Sequence, residues 1–212
     1  MFTRLRDYRV VPIVRYKYLS ENDAVCIAEA LIAAGLPVME IVFRRHSDYL
    51  AIKRIAGRFP DFLVGAGDII NTDQLLRVFD ANAKFAVAPG ANNDTIDVAS
   101  KINLPFAPGA CTPTEVEKVV LAGAVDFQFF PAETIGGVAM LEQILSAFDH
   151  LPIDIYAKGN ISFDKMTNYL QISKVSAVAV DWIVKNEYIK DKNWRAITDA
   201  ALRAVQEVRQ MN

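Results

Sequence analysis

The sequence VMEIVFR, residues 38–44, is one of eight short apolar runs that end in polar or small residues, and this series indicates the fold. The other seven runs lie at residues 10–15, 62–67, 85–89, 105–109, 125–131, 153–158 and 177–183. Apolar residues follow one another in these runs with little alternation, which is typical of parallel strands buried on both faces.

The segments between the runs carry helix signals. Ser20 precedes an apolar helical stretch that ends at Gly35, and Thr112 with Pro113 opens another that ends at Gly123. Eight strands that alternate with helices predict an α/β fold of the (β/α)8 TIM-barrel type. We expect one domain over residues 1–212, closed by a C-terminal helix from about residue 191. The alternative is an open doubly wound sheet, which needs only about five or six strands.

Composition excludes several classes of protein. The 212 residues carry 23 Lys+Arg and 25 Asp+Glu, a net charge of −2, so we expect no nucleic-acid partner. No apolar run reaches the roughly 18 residues of a membrane span, and no membrane partner is expected. The chain has two cysteines, Cys26 and Cys111, which are too few for the disulfide framework of a secreted protein, and the first residues lack the apolar core of a signal peptide. A cytoplasmic location is the expectation.

In a (β/α)8 barrel the active site lies at the C-terminal ends of the strands. The residues that we expect there, and that we select as candidate site residues, are Arg15, Glu40, Arg44, Asp68, Pro89, Gln128, Phe130, Lys158, Gly159 and Asp181.

Lys158 is the most informative of these candidates, because a lysine at the end of an apolar strand must be paired or neutral. With Arg15 and Arg44 nearby, a neutral Lys158 amine would be a nucleophile suited to Schiff-base chemistry. The alternative is a structural ion pair with Asp68, Asp181 or Glu40.

Glu40 lies in the middle of an apolar strand and must also be paired or functional. It suits a general acid/base role; the alternative is an ion pair with Arg44. His46 and His150 are isolated in the sequence, and no His/Asp/Glu cluster has the spacing of metal ligands. We therefore expect neither a metal nor a cofactor.

Five motifs resemble those of the 2-keto-3-deoxy-6-phosphogluconate (KDPG) / 4-hydroxy-2-oxoglutarate (KHG) aldolases. They are GLPVMEIVFR at 35–44, VGAG at 64–67, FAVAPG at 85–90, PFAPG at 105–109 and FQFFPAE at 127–133. The resemblance extends from about residue 10 to the C-terminus. It implies a class I aldolase, a carbon–carbon lyase that cleaves a 2-keto-3-deoxy or 4-hydroxy-2-oxo acid to pyruvate and an aldehyde, and it implies a homotrimer.

The chain departs from the family at the catalytic lysine, because Gln128 stands where the family has the Schiff-base residue. On the next strand, Lys158 stands where the family usually has Thr. Neighbouring strands lie about 4.8 Å apart, and a lysine stem reaches roughly 6 Å, so we predict that the amine has moved to Lys158. By the resemblance, Glu40 would shuttle protons, Arg44 and Arg15 would hold the substrate carboxylate, and Gln128 would keep a polar contact to the imine.

Two further departures concern the substrate. The resemblance places a phosphate site after the last two strands, where this chain has Gly159-Asn160 and Asp181. Asp181 would repel a phosphate, and Asp68 replaces a Thr near the expected pyruvate carboxylate, so a phosphorylated substrate is disfavoured. Two other functions stay open: a different carbonyl reaction at the same mouth, and a non-catalytic relative that binds a small 2-keto acid or serves as an assembly subunit.

Overall fold

The computed structural model describes residues 2–211, and its centre is a cylinder of parallel strands. The strands are β1 (Val10–Val14), β2 (Val38–Val42), β3 (Leu63–Gly67), β4 (Phe85–Val87), β5 (Phe106–Ala107), β6 (Gly109–Ala110), β7 (Asp126–Phe129), β8 (Asp154–Lys158) and β9 (Val175–Val180). Their order is β5-β4-β3-β2-β1-β9-β8-β7-β6, and each strand is parallel to the neighbours with which it forms hydrogen bonds. The predicted (β/α)8 TIM-type barrel is confirmed.

The predicted fifth run forms two short strands rather than one. β5 pairs with β4 and β6 pairs with β7, so the break at Pro108 lies where the two ends of the sheet meet. Pro108 has no N–H to donate, but its carbonyl accepts a hydrogen bond from the Gln128 N–H at 2.8 Å. Nine strand segments therefore occupy the eight positions of the barrel.

Helices connect most of the strands, with one helix before β1 and two after β9. They are α1 (Phe2–Leu5), α2 (Glu21–Ala33), α3 (His46–Arg58), α4 (Thr72–Asp80), α5 (Asn93–Lys101), α6 (Pro113–Leu121), α7 (Gly137–Ala147), α8 (Phe163–Leu170), α9 (Asn186–Lys190) and α10 (Trp194–Gln210), with a 3-10 helix at Ala132–Ile135. Within residues 2–211, no helix is both long and apolar enough to cross a membrane.

The helix signals that were read from the sequence act as expected at two N-termini. The Ser20 hydroxyl accepts from the Asp23 N–H, and Thr112 and Glu115 form a capping box ahead of α6. Gly35 ends α2 with φ +72°, a left-handed conformation that glycine adopts without a Cβ penalty.

The end of the chain differs from the expectation. A helix was predicted from about residue 191, whereas α9 ends at Lys190 and α10 begins only at Trp194. Lys192 adopts φ +54°, which interrupts the helix, and the Asn193 side chain then caps α10 by accepting from the Ala196 N–H at 3.1 Å. α10 packs against α2.

Candidate active site

Lys158 is the last residue of β8, and its side chain is 1% exposed. Its Nζ donates to Glu40 Oε1 at 2.5 Å and to Asp68 Oδ1 at 3.1 Å. Because β9 and β1 lie between β8 and β2 in the sheet, the contact with Glu40 must cross the barrel interior. The amine is therefore held between two carboxylates at the C-terminal end of the barrel.

Glu40, at the centre of β2, is fully buried, and both of its carboxylate oxygens have partners. Oε1 accepts from Lys158, and Oε2 accepts from the Tyr156 hydroxyl at 2.8 Å. The alternative pairing of Glu40 with Arg44 is not formed. Arg44 lies beyond the end of β2 with a side chain that is 58% exposed, and its Nη2 donates to Asp68 Oδ2 at 2.6 Å.

Asp68 follows β3 and links the two cations of the site, since one oxygen contacts Lys158 and the other contacts Arg44. Burial raises the pKa of the Asp68 carboxyl, but the charges and hydrogen bonds of Lys158 and Arg44 outweigh it, so the pKa lies below its usual value. The backbone of Asp68 is left-handed, with φ +59°. Asp tolerates this conformation better than most residues, and such strain is found at functional sites.

The two glycines of the VGAG motif make room for neighbouring side chains. A Cβ at Gly67 would overlap the Glu40 carboxylate, and a Cβ at Gly65 would overlap the ring of Phe85. The absence of side chains on this part of β3 therefore allows Glu40 to reach Lys158.

Tyr156 is a member of the site that the sequence reasoning missed. It lies two residues before Lys158 on β8, so both side chains point to the same face of the strand. Burial and then the charge of Glu40 raise the pKa of the Tyr156 hydroxyl well above its usual value, so it acts as a hydrogen-bond donor at neutral pH. The signal in the sequence was a hydroxyl-bearing aromatic residue at that two-residue spacing.

The Gln128 side chain also lies in the barrel interior. Among the described residues, no hydrogen bond joins it to Lys158. It is in register with Tyr156, it is fully buried, and its Nε2 donates to the Ala88 carbonyl at 2.8 Å. Among the described residues its Oε1 has no hydrogen-bond partner. Phe130 lies two residues after Gln128, and the centre of its ring is 5.9 Å from the Lys158 Nζ, within the range of a cation–π contact.

The remaining candidates lie around the strand ends. Arg15 follows β1 and Asp181 follows β9, and both are exposed. Over residues 2–211, the ion pairs of Lys158 are those with Glu40 and Asp68, so the alternative pair with Asp181 is not formed. Pro89 follows β4 and lines a cavity of about 250 Å³. Gly159 has φ +125°, and a Cβ at this residue would overlap the backbone of residues 131 and 132.

Lys17, the other lysine near a strand end, is exposed, with its Nζ 5.3 Å from the centre of the Tyr18 ring. Among the lysines that the structure describes, Lys158 is the one that is buried. Across the described part of the chain, no three His, Cys, Asp or Glu residues are grouped as a metal site would need. Proton transfer within the Lys158–Glu40 pair and nucleophilic attack by the resulting amine are the chemistry that this arrangement supports.

Sequence comparison extends these observations. Residues 1–200 match the family model described as "Aldolase: KDPG and KHG aldolase". The chain is 34% identical over 197 residues to the KHG/KDPG aldolase of Escherichia coli strain K12, covering 93% of this chain and 91% of that one. It is 31% identical over 205 residues to the 2-dehydro-3-deoxy-phosphogluconate aldolase of Haemophilus influenzae, covering 97% and 93%.

Solved structures agree with the sequence comparison. The KDPG aldolase of Legionella pneumophila, in a crystal structure with pyruvate captured at low pH as a covalent carbinolamine, superposes with a TM-score of 0.88. It is 30% identical, and the match covers 96% of this chain and 98% of that one. The aldolase of Zymomonas mobilis that acts on 2-keto-3-deoxy-6-phosphogluconate matches with a TM-score of 0.86 at 30% identity, covering 95% and 94%.

Proposed function

Starting from the fact that the chain belongs to the KDPG and KHG aldolase family, we propose that Lys158 is the amine that forms a Schiff base with the substrate. The protein is a class I aldolase, a carbon–carbon lyase that cleaves a 2-keto-3-deoxy acid. A role as a non-catalytic binder or as an enzyme of altered chemistry is disfavoured by the same family relationship.

The observation that carries the proposal is the position of the Lys158 amine. Gln128 has no amine, whereas Lys158 ends the adjacent strand and points into the barrel against Glu40. The ring of Phe130, which follows the Gln128 strand, lies beside the same amine. An amine at this place has a proton acceptor beside it and lies at the C-terminal end of its strand, as imine formation in a barrel of this type needs.

Imine formation begins with proton transfer from the Lys158 ammonium to Glu40, over 2.5 Å. The neutral amine attacks C2 of the 2-keto acid, so a C–N bond forms as the C=O π bond breaks, and the former carbonyl oxygen takes up a proton that the attacking nitrogen releases. Glu40, now a carboxylic acid, protonates the carbinolamine hydroxyl, which leaves as water. The product is a protonated imine on Lys158, and Glu40 is again a carboxylate.

Carbon–carbon cleavage uses the same two residues. Glu40, directly or through a water, accepts the proton of the C4 hydroxyl as the C3–C4 bond breaks, and the electron pair moves into the imine to give an enamine and an aldehyde. Glu40 then protonates the enamine carbon, and water hydrolyses the resulting imine to pyruvate and the Lys158 ammonium. Each proton that Glu40 accepts is returned, so the cycle needs no further acid or base.

The positive charges at the mouth are suited to the substrate carboxylate. We assign this role to Arg44, with Arg15 at the neighbouring strand end, because guanidinium groups bind carboxylates through paired charge-assisted hydrogen bonds. Arg44 already donates one charge-assisted hydrogen bond to the Asp68 carboxylate. Asp68, Pro89, Gln128, Phe130, Gly159 and Asp181 are proposed to contact the rest of the bound substrate.

The charges around the site favour a substrate without a phosphate. Asp181 is exposed after β9, and Asp68 lies beside the amine, so an incoming dianion would meet two carboxylates. An unphosphorylated 2-keto-3-deoxy acid with a single carboxylate would bring one negative charge, which Arg44 can match. The family relationship further supports a homotrimer of one-domain chains in the cytoplasm.

Pyruvate release from a panel of 2-keto-3-deoxy acids, with and without a phosphate, tests the proposal. Wild type and Lys101→Met, which removes a surface amine paired with Asp97, are expected to cleave the unphosphorylated acids, and Lys158→Met is expected to be inactive. Full activity of Lys158→Met would overturn the assignment. Preference for the phosphorylated acids would overturn the substrate class.

A further inference from the structure

We propose that Tyr156 is a positioning residue of the aldolase reaction, whose hydroxyl fixes the Glu40 carboxylate with one oxygen turned to Lys158. The kinetic effect of this inference rests on the proposed function, whereas the hydrogen bond between Tyr156 and Glu40 does not. The Tyr156 hydroxyl donates to Glu40 Oε2, so its action on the chemistry passes through Glu40.

The carboxylate of Glu40 needs such a partner because the torsion that turns a carboxylate plane is soft. With Oε2 accepting from Tyr156 at 2.8 Å, Oε1 is left to face the Lys158 Nζ at 2.5 Å. Both contacts lie in the barrel interior, where Glu40 and Tyr156 have no exposed surface. A hydrogen bond there fixes geometry more strongly than the same bond at a surface.

Tyr156 is itself held by its neighbours. Its ring meets the Phe85 ring edge-on, with centroids 6.3 Å apart and planes at 62°. Phe85 in turn occupies the space over Gly65 that a side chain would fill. The hydroxyl of Tyr156 is therefore presented to Glu40 by a packed aromatic pair.

Charged and titratable groups around Glu40 come from three elements. β8 contributes Lys158 and Tyr156, which both contact Glu40. The residue after β3, Asp68, is linked to Glu40 through Lys158. Arg44, which lies beyond the end of β2, contacts Asp68. β1 faces Glu40 in register with the apolar Ile13. Tyr156 is thus the one described uncharged donor that stabilises the ionised form of Glu40 directly.

Removal of that donor has a definite sign. A hydrogen bond to the carboxylate favours the ionised form, so its loss makes Glu40 easier to protonate. Protonated Glu40 cannot accept the Lys158 proton. The acid limb of kcat/KM against pH is therefore expected to move to higher pH in Tyr156→Phe, which keeps the ring and removes one oxygen.

The matched control is Tyr49→Phe, because Tyr49 donates to a carboxylate oxygen of Asp80 at 2.6 Å on the surface. We expect the acid limb to lie at higher pH in Tyr156→Phe and to stay in place in Tyr49→Phe, with kcat of Tyr156→Phe lowered about tenfold and KM little changed. A rate loss without a shift of the acid limb would indicate a merely structural role and overturn the proposal.

A second measurement separates this inference from the proposed function. The Glu40 carboxyl carbon, labelled with ¹³C and assigned with Glu40→Gln, is titrated by NMR in the wild type and in both tyrosine variants. A higher midpoint in Tyr156→Phe alone supports the positioning role even if no cleavage activity is found. Identical titration curves in wild type and Tyr156→Phe would overturn it even if the aldolase activity is present.

Discussion

The Lys158 Nζ lies 2.5 Å from Glu40 Oε1, although two strands separate β8 from β2 in the sheet. Two charged side chains thus meet across the interior of the barrel, with 1% and 0% of their side-chain surfaces exposed. A buried pair is costly unless its remaining polar atoms are satisfied. Asp68 and Tyr156 supply those partners, so one connected set of groups positions an amine beside a base.

Glu40→Gln is expected to lower kcat by about 10²–10⁴-fold, because it removes the group that accepts and returns each proton. KM should change little, since the arginines that bind the substrate carboxylate are retained. Steady-state pyruvate release measures both constants. Wild-type kcat in Glu40→Gln would contradict the assigned proton shuttle, and a far-UV circular dichroism spectrum checks that the variant is folded.

Arg44→Ala is expected to raise KM for the 2-keto acid about tenfold or more, because it removes a charge-assisted contact to the substrate carboxylate. Arg58→Ala is the matched control, since Arg58 forms an ion pair with Glu29 away from the strand ends of the site. The comparison uses substrate-dependence curves of the two variants. Equal KM values would remove Arg44 from the binding site.

Gly67→Ala is expected to displace the Glu40 carboxylate, because the added Cβ would occupy its place. We expect a loss of stability of about 1–3 kcal/mol together with a large loss of activity. Gly57→Ala is the control, because a Cβ at this α3 position meets nothing within 4 Å. Urea unfolding and pyruvate release are measured on both variants; an active Gly67→Ala would contradict the packing described here.

Asp126 gives a prediction about pH and stability away from the active site. Burial first, and then the charge of Asp154 opposite it in register, raise the pKa of the Asp126 carboxyl to about 6. When the pKa of a carboxyl is higher in the folded than in the unfolded state, the protein's free energy of unfolding falls as pH rises from about 4 through 6. Asp126→Asn is therefore expected to stabilise the protein at pH 7 by about 1–2 kcal/mol, after allowance for solvent screening at this half-buried site.

At pH 4 the same variant should show no gain, because folded wild-type Asp126 is then protonated. Asp154→Asn serves as a comparison, since it breaks the ion pair of Asp154 with Arg6 and should not stabilise the protein to the same extent. Urea unfolding at both pH values provides the free energies of unfolding. A gain at pH 4 equal to that at pH 7 would contradict the raised pKa.

The barrel could be predicted from the sequence because its strands are buried runs such as residues 38–44, separated by segments with recognisable helix caps. The division of the fifth strand at Pro108 could not, since the closure of the sheet depends on which strands come together in space. Local capping residues, such as Ser20 and Thr112, act within their own helix and were therefore predictable.

The charged residues of the candidate site stood out in the sequence, but Tyr156 did not, and the ion-pair partner of Lys158 was left open among Asp68, Asp181 and Glu40. Lys158 and Glu40 stood out as charges within apolar strands, whereas the partner of each depended on positions across the barrel. Arg44 lies four residues after Glu40 in the sequence, which suggested an ion pair between them, yet its side chain contacts Asp68 beyond the strand end. Tyr156 was missed because a tyrosine in an apolar strand also fits an ordinary core position.

Reductive trapping with pyruvate and borohydride, followed by peptide mass spectrometry, tests the central assignment most directly. Borohydride reduces an imine to a stable amine and so marks the lysine that formed it. We expect a reduced pyruvyl adduct on the peptide that contains Lys158, and none in Lys158→Met. An adduct on Lys17 or another lysine, or no adduct on folded wild-type protein over a wide pH range, would contradict the assignment.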